Sequence, residues 1–215
     1  MIAHVVLRAR EAACFDEVLV ATDDERIAAA AKAAGARAVM TGPANSGTDR
    51  VAAAVRREAA EIVVNVQGDE PALPPENLRL LVDYLQKHPN IPVATLALPG
   101  TGEDFANPDA VKVVCDLAGR ALYFSRAAIP FQRNPASRLI RRHIGLYGFR
   151  REALLHFAAL PECELERAEA LEQLRALAHG IPIQVLDAER DSVAVDLPAD
   201  IQRAEEALHR LKGLP

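Results

Sequence analysis

The chain has 215 residues, half of them hydrophobic, with 25 basic side chains set among 30 acidic ones and a formal net charge of −5. That length supports a single domain with a full core. The mixed charge presents no basic face of the kind nucleic acid requires, so the expected partner is a small molecule. The cysteines Cys14, Cys115 and Cys163 show no Cys-x-x-Cys spacing, which argues against a disulfide framework or zinc site and for a reducing compartment. No apolar run reaches the length of a membrane span and no basic leader precedes a long apolar core, so the expected location is cytoplasmic, without a membrane partner.

In chain order, residues 2–13 carry Val5, Val6, Ala9 and Ala12 at helical spacing, and 18–21 form a short apolar strand. The chain thus opens on a helix where a doubly wound domain usually opens on a strand. Thr22 with Glu25 three residues on predicts a helix cap, Gly35 a stop, and 37–41 a second strand. A Gly-Pro-Ala-Asn-Ser-Gly loop then leads to Thr48, Asp49 and Arg50 at the head of an alanine-rich helix ending near Ala60.

The run 62–66 is rich in β-branched residues and reads as a central strand buried on both faces. A helix over 75–87 and a strand over 93–98 continue the alternation of parallel βαβ units. The strands 111–115 and 121–125 flank Asp116-Leu-Ala-Gly119, which predicts an antiparallel hairpin serving as a lid or dimerisation ribbon. A polar segment over 130–137, a strand over 143–149, helices over 151–159 and 164–179, a strand over 181–186 and a last helix over about 198–212 complete the chain. The expected fold is α/β, Rossmann-like, with a mostly parallel sheet, helices on both faces and one antiparallel insertion within 105–150.

Two acidic residues stand at predicted strand ends, Asp69 in Gly-Asp-Glu-Pro and Asp196 after Val193-Ala-Val195. Open α/β sheets bind ligands at the carboxyl ends of their strands. Magnesium is usually held by one or two carboxylates plus substrate phosphates, so this pair suits nucleotide chemistry; a polar turn and a helix cap account for the same residues without it. Ser-Gly-Thr-Asp-Arg (46–50) places a small flexible loop at a helix N-terminus, where unpaired N–H groups can hold an anion, or serves as a plain capped loop. His143 and Tyr147 fall on one side of a strand with Arg126 in a neighbouring element, a set that could grip a polyhydroxylated acid. Equally, Arg126 could form a surface ion pair beside a half-buried His143. Glu172 and Gln173 read as the solvated edge of an amphipathic helix.

Taken together the chain resembles the 3-deoxy-manno-octulosonate cytidylyltransferases, the CMP-Kdo synthetases. The stretches that carry the resemblance are Val-Ala-Thr-Asp-Asp (20–24), Ser-Gly-Thr-Asp-Arg (46–50), Val-Asn-Val-Gln-Gly-Asp-Glu-Pro (64–71), Asn-Pro-Asp-Ala-Val-Lys-Val-Val (107–114), Leu-Tyr-Phe-Ser-Arg-Ala-Ala-Ile-Pro (122–130), Arg-His-Ile-Gly-Leu-Tyr-Gly-Phe-Arg (142–150) and Leu-Glu-Gln-Leu-Arg (171–175). They occur in family order over nearly the whole chain. The resemblance implies a nucleotidyltransferase that moves CMP from CTP to Kdo, giving CMP-Kdo and diphosphate for lipopolysaccharide biosynthesis. It further implies Asp69 and Asp196 as catalytic residues holding Mg2+, with Ser46, Gly47, Thr48, Arg50 and Gln67 on the nucleotide. Arg126, His143, Tyr147, Glu172 and Gln173 would bind the sugar acid, and the chain would form a homodimer. The family's opening strand and its Pro-Ala-Arg-x-x-Ser-x-Arg-Leu-Pro-Gly-Lys-Pro-Leu loop have no counterpart here. The expectation is therefore an N-terminally incomplete domain, with a sialic-acid-type cytidylyltransferase or an inactive sugar-binding paralogue as alternatives.

Overall fold

The computed structural model describes residues 1–134, 139–195 and 197–212, with the side chains of 210–212 excepted. Helices and strands alternate through the first half: α1 (Ile2–Glu11), β1 (Leu19–Thr22), α2 (Glu25–Ala33), β2 (Arg37–Met40), α3 (Gly47–Val55), β3 (Ile62–Asn65), α4 (Pro75–Lys87) and β4 (Val93–Pro99). The second half holds α5 (Gly102–Ala106), β5 (Lys112–Cys115), β6 (Ala121–Ser125), β7 (Arg141–Arg150), α6 (Arg151–Ala158), α7 (Glu164–Glu169), α8 (Gln173–Ala178), β8 (Ile183–Asp187) and α9 (Asp200–Lys212). No helix among the described residues is long and apolar enough to cross a membrane.

The α/β class and the helices on both faces hold, whereas the sheet is mixed rather than mostly parallel. β1 and β2 pair in parallel as a two-stranded sheet, and β4 pairs in parallel with β8. The strand at the centre is β7, antiparallel to β3, β4 and β5, while β5 and β6 form the predicted antiparallel hairpin. The 62–66 strand is therefore not the central one: among the described residues β3 pairs with β7 alone. At the hairpin turn, Asp116 Oδ1 accepts the N–H groups of Ala118 and Arg120, both at 2.9 Å, and Gly119 takes a φ of +77° that only glycine adopts without strain.

The alternation of β4 and β7 divides the core. Val93 and Ala97 of β4, with Tyr147 and Phe149 of β7, face α3, α6 and α8; Ala94 and Leu96, with Ile144 and Leu146, face α1 and α4. α4 reads as a helix because Leu78, Leu81, Val82 and Leu85 recur at helical spacing, and all four are buried. Each such side chain contributes about 1.5–3 kcal/mol of burial.

Local caps differ from expectation in instructive ways. Asp24, one residue before α2, accepts the Arg26 N–H and caps the helix, while Thr22 Oγ1 accepts the Asp24 N–H. Ser46 caps α3 by accepting the Asp49 N–H, and that helix stops at Val55. The region 164–179 forms two helices, not one. Ala170 sits in the left-handed region at φ +51°, and the chain turns a corner there.

Candidate active site

The carboxyl end of β3 delivers Gln67 and Asp69 into a loop that also holds Glu70. The Asp69 carbonyl accepts the Val195 N–H at 2.9 Å, which binds this loop to the segment leading to residue 196. Asp196 itself lies outside the described residues. Glu70 is 7% exposed, and one of its carboxylate oxygens, Oε2, is buried without a hydrogen-bond partner. Burial pushes its carboxyl up to about 7, and the charges of Asp69 and Asp191 add to this, against the Ser192 hydroxyl and the Arg142 guanidinium. Among the described residues no three His, Cys, Asp or Glu side chains converge as a metal cage.

The start of α3 lies against this loop. A Cβ on Gly47 would stand 3.3 Å from Gln67 Oε1, so the glycine lets the amide approach the helix N-terminus. The first-turn N–H groups of Gly47 and Thr48 have no intrahelical acceptor by position, which suits them to an anion. Arg50 is held at this end by Thr41 Oγ1 at 2.8 Å and by Asp23 at 2.9 Å, so its guanidinium is fixed beside the loops that follow β1 and β2.

Thr48 departs from expectation. Its side chain turns inward, is 1% exposed, donates to Glu172 Oε1 and accepts from Asn65 Nδ2 at 3.0 Å. The hydroxyl is thereby engaged within the protein, while the Thr48 N–H stays at the helix start. Glu172 and Gln173 are not a solvated edge either. The corner at Ala170 swings them under the sheet, where Gln173 is buried and Glu172 Oε2 is buried without a partner. Thr48, Tyr147, Glu172 and Gln173 line one small cavity there, with Val93 and Phe149.

His143 and Tyr147 share a face of β7 as expected, with ring centroids 5.4 Å apart. His143 is buried, and its Nε2 lies 2.9 Å from Thr95 Oγ1, whose own proton goes to the Leu146 carbonyl at 2.8 Å. Burial drives the imidazole pKa down to about 3, with Arg142 adding to the effect, so His143 is neutral and supplies no positive charge to an acid. Tyr147 is pushed up, first by burial and then by the Glu172 charge, and stays a protonated donor.

The structure puts Arg126 at the end of β6, apart from the cavity. Its backbone N–H and Nε bind Glu169 Oε2 and the Glu169 carbonyl, both at 2.9 Å, and its Nη1 donates to the Pro108 carbonyl at 3.2 Å. Glu169 also takes the Ser125 hydroxyl at 2.6 Å. Lys112, fully buried, donates to the carbonyls of Asn107, Ala110 and Arg126 and so closes the same loop. Sequence reasoning missed Glu169, Lys112 and Asn65, because each works through the backbone or another side chain and leaves no spacing signal. A larger cavity of about 560 Å³ lies elsewhere, between α1 and β2, where Arg37 is already paired with Glu17.

A solved structure of CMP:2-keto-3-deoxy-manno-octonic acid synthetase complexed with CTP matches this fold with a TM-score of 0.92 at 38% identity, covering 98% of this chain and 88% of that one. The fold is thus that of an α/β nucleotidyltransferase. The 3-deoxy-manno-octulosonate cytidylyltransferase of Anaeromyxobacter sp. (strain Fw109-5) is 51% identical over 97% of this chain and 86% of its own length. The protein of the same description from Myxococcus xanthus (strain DK1622) is 50% identical over 99% of this chain and 87% of its own. The family model described as cytidylyltransferase matches residues 1–185, and the chain belongs to that family.

Proposed function

We propose that this chain transfers CMP from CTP to Kdo. The anomeric hydroxyl of the sugar acid attacks the α-phosphorus and gives up its proton to solvent, a phosphorus–oxygen bond forms to the sugar, and the bond from that phosphorus to the oxygen bridging it to the β-phosphate breaks, so that diphosphate leaves with that oxygen. The CMP-Kdo formed would serve lipopolysaccharide assembly. The observation that carries this reading is the meeting of Tyr147, Glu172 and Gln173, a hydroxyl, a carboxylate and an amide, around a cavity of about 10 Å³ beside the start of α3, room for one hydroxyl of a ligand and not for a whole sugar. Such a set offers both donors and acceptors to a polyhydroxylated ligand.

The nucleotide would lie against Ser46, Gly47 and Gln67, its phosphates facing the first turn of α3, with Arg50 contributing charge. His143, being neutral, would offer the sugar acid a hydrogen bond rather than a charge, and Arg126, engaged with the Glu169 and Pro108 carbonyls apart from the cavity, stands outside this set. Asp69 and Asp196 would hold a divalent cation, and carboxylate donors favour magnesium. The Val195 to Asp69 backbone bond supports this by tying the segment before Asp196 to the Asp69 loop. Such an ion supplies charge neutralisation at the phosphate oxygens. Phosphoryl-type transfer otherwise asks the protein mainly to position the reactants.

The test is diphosphate release from CTP, magnesium and purified protein, with Kdo or with sialic acid as acceptor. Release that depends on Kdo and on the metal is expected; release with sialic acid alone would move the assignment to the other sugar. The Asp69→Asn variant should need roughly tenfold more magnesium or beyond, the size of one lost charged contact, with its fold intact. An unaltered magnesium requirement would take Asp69 out of the metal shell.

A homodimer through the hairpin belongs to the same proposal. Leu122, 61% exposed on the edge strand β6, and Phe131, 87% exposed, are apolar side chains that a partner would cover. Light scattering should give twice the chain mass for the protein and a monomer for the Leu122→Asp, Phe131→Ser double variant. A monomeric parent protein would end this part of the reading.

A further inference from the structure

We infer that Asn65 and Thr48 are positioning residues for the sugar acid, orienting the Glu172 carboxylate from the nucleotide side of the cleft. The inference rests on the placement of the sugar acid at Glu172 proposed above.

Three elements distant in sequence meet here. Asn65 ends β3 and is 2% exposed, Thr48 is the second residue of α3, and Glu172 precedes α8. The Asn65 amide donates to Thr48 Oγ1 at 3.0 Å. A hydroxyl has one proton, and with an N–H directed at its oxygen the Thr48 proton goes to Glu172 Oε1. The chain therefore runs in one direction, amide to hydroxyl to carboxylate. Glu172 Oε1 is satisfied within the protein, while Oε2 is buried and takes no hydrogen bond. Leaving a buried carboxylate oxygen unpaired is costly, and a ligand hydroxyl donating to it removes that cost. Because Oε1 is pinned, Oε2 has a fixed direction in the cavity shared with Tyr147 and Gln173.

Thr48 lies in the first turn of α3, the same turn whose N–H groups face the proposed nucleotide. The hydroxyl, buried and doubly bonded, serves the sugar acid, while the nucleotide meets the backbone of this turn.

Binding of Kdo and of CTP, each measured by titration calorimetry on the full chain, tests this. Thr48→Val keeps the shape and deletes the relay; it should weaken Kdo binding about tenfold or more while CTP binding changes far less. Thr48→Ser should restore Kdo binding to within about threefold of the parent, since one hydroxyl suffices. Asn65→Asp replaces the donor by an acceptor, turns the Thr48 proton away from Glu172 and should weaken Kdo binding as Thr48→Val does, which keeps the test open if the valine variant fails to fold. Parent-like Kdo binding by Thr48→Val or Asn65→Asp overturns the relay, as does a serine variant as weak as the valine one, or CTP binding that falls in step with Kdo binding. Parent protein that binds CTP and no Kdo overturns the sugar reading itself, and the relay with it.

Discussion

Replacing Arg175 by methionine should lower stability by about 3–5 kcal/mol, the cost of leaving one partner of a buried ion pair without the other. For a chain of this length that loss corresponds to a fall in melting temperature of roughly 6–20 °C. Arg175 is 4% exposed, and its guanidinium grips both carboxylate oxygens of Glu166, with Nε to Oε2 at 2.9 Å. It lies 4.8 Å from the Phe157 ring centroid, and its third nitrogen is 3.7 Å from Asp49 Oδ1, a buried oxygen without a hydrogen bond. One cation thus ties α7, α8, α6 and the first turn of α3 around the candidate site. Methionine fills much of the volume but leaves the Glu166 carboxylate, itself 8% exposed, with no counter-charge. Adding Glu166→Met should recover most of the loss, because an apolar pair in place of a buried ion pair is often neutral. Urea unfolding of the parent, both single variants and the double variant gives the coupling. Losses that simply add, to within about 0.5 kcal/mol, would show that the pair acts through something other than mutual compensation.

That ion pair also shows why part of the site was hidden in the sequence. On one straight helix, residues nine apart stand about 13.5 Å from each other, and an amphipathic reading of 164–179 keeps Glu166 from Arg175 and leaves Glu172 on the solvent edge. The corner at Ala170, an alanine in a backbone region more usual for glycine, brings the first two together and turns the third inward. No composition rule marks that alanine. The order of helices and strands, by contrast, was legible because apolar spacing and glycine stops are local signals, as in α4 and at Gly35. Strand rank was not. The β-branched run of β3 reads as central, yet β7 takes that place despite Gly145 and Gly148 in its middle. Gly148 is there for packing: a Cβ would come within 2.7 Å of Leu85 Cδ1 on α4. Gly47, Tyr147, Glu172 and Gln173 were singled out from the residues themselves and Gln67 by resemblance, and the cavity gathers three of these five. The inward turn of Thr48, and Asn65 behind it, became visible only with the packing.

Glu70 should make stability fall as pH rises through the neutral range, and Glu70→Gln should abolish that contribution. Burial holds its carboxyl at about 7 in the folded protein, against an ordinary value of 4.5. Below pH 4.5 the group is protonated in both states, and its favourable contribution is fully present. Between these values the unfolded chain has released the proton while the native protein keeps it, so stability drops by about 1.4 kcal/mol per pH unit. Above about pH 7 both states are ionised and the loss is complete, roughly 3 kcal/mol in all. Glutamine keeps the shape, can still meet the Ser192 hydroxyl and carries no titrating group. Its stability relative to the parent should therefore rise by roughly 3 kcal/mol between pH 4.5 and pH 8. Comparing variant with parent also removes His143, which opposes this trend. With its pKa lowered to about 3 by burial, His143 costs stability as pH falls below its ordinary 6.5, equally in both proteins. Urea unfolding of the two at half-unit pH steps reads the difference directly, and parallel curves would mean that Glu70 is ionised in the native loop at neutral pH. In that case the Ser192 hydroxyl and the Arg142 guanidinium would outweigh burial and the charges of Asp69 and Asp191 in the native loop.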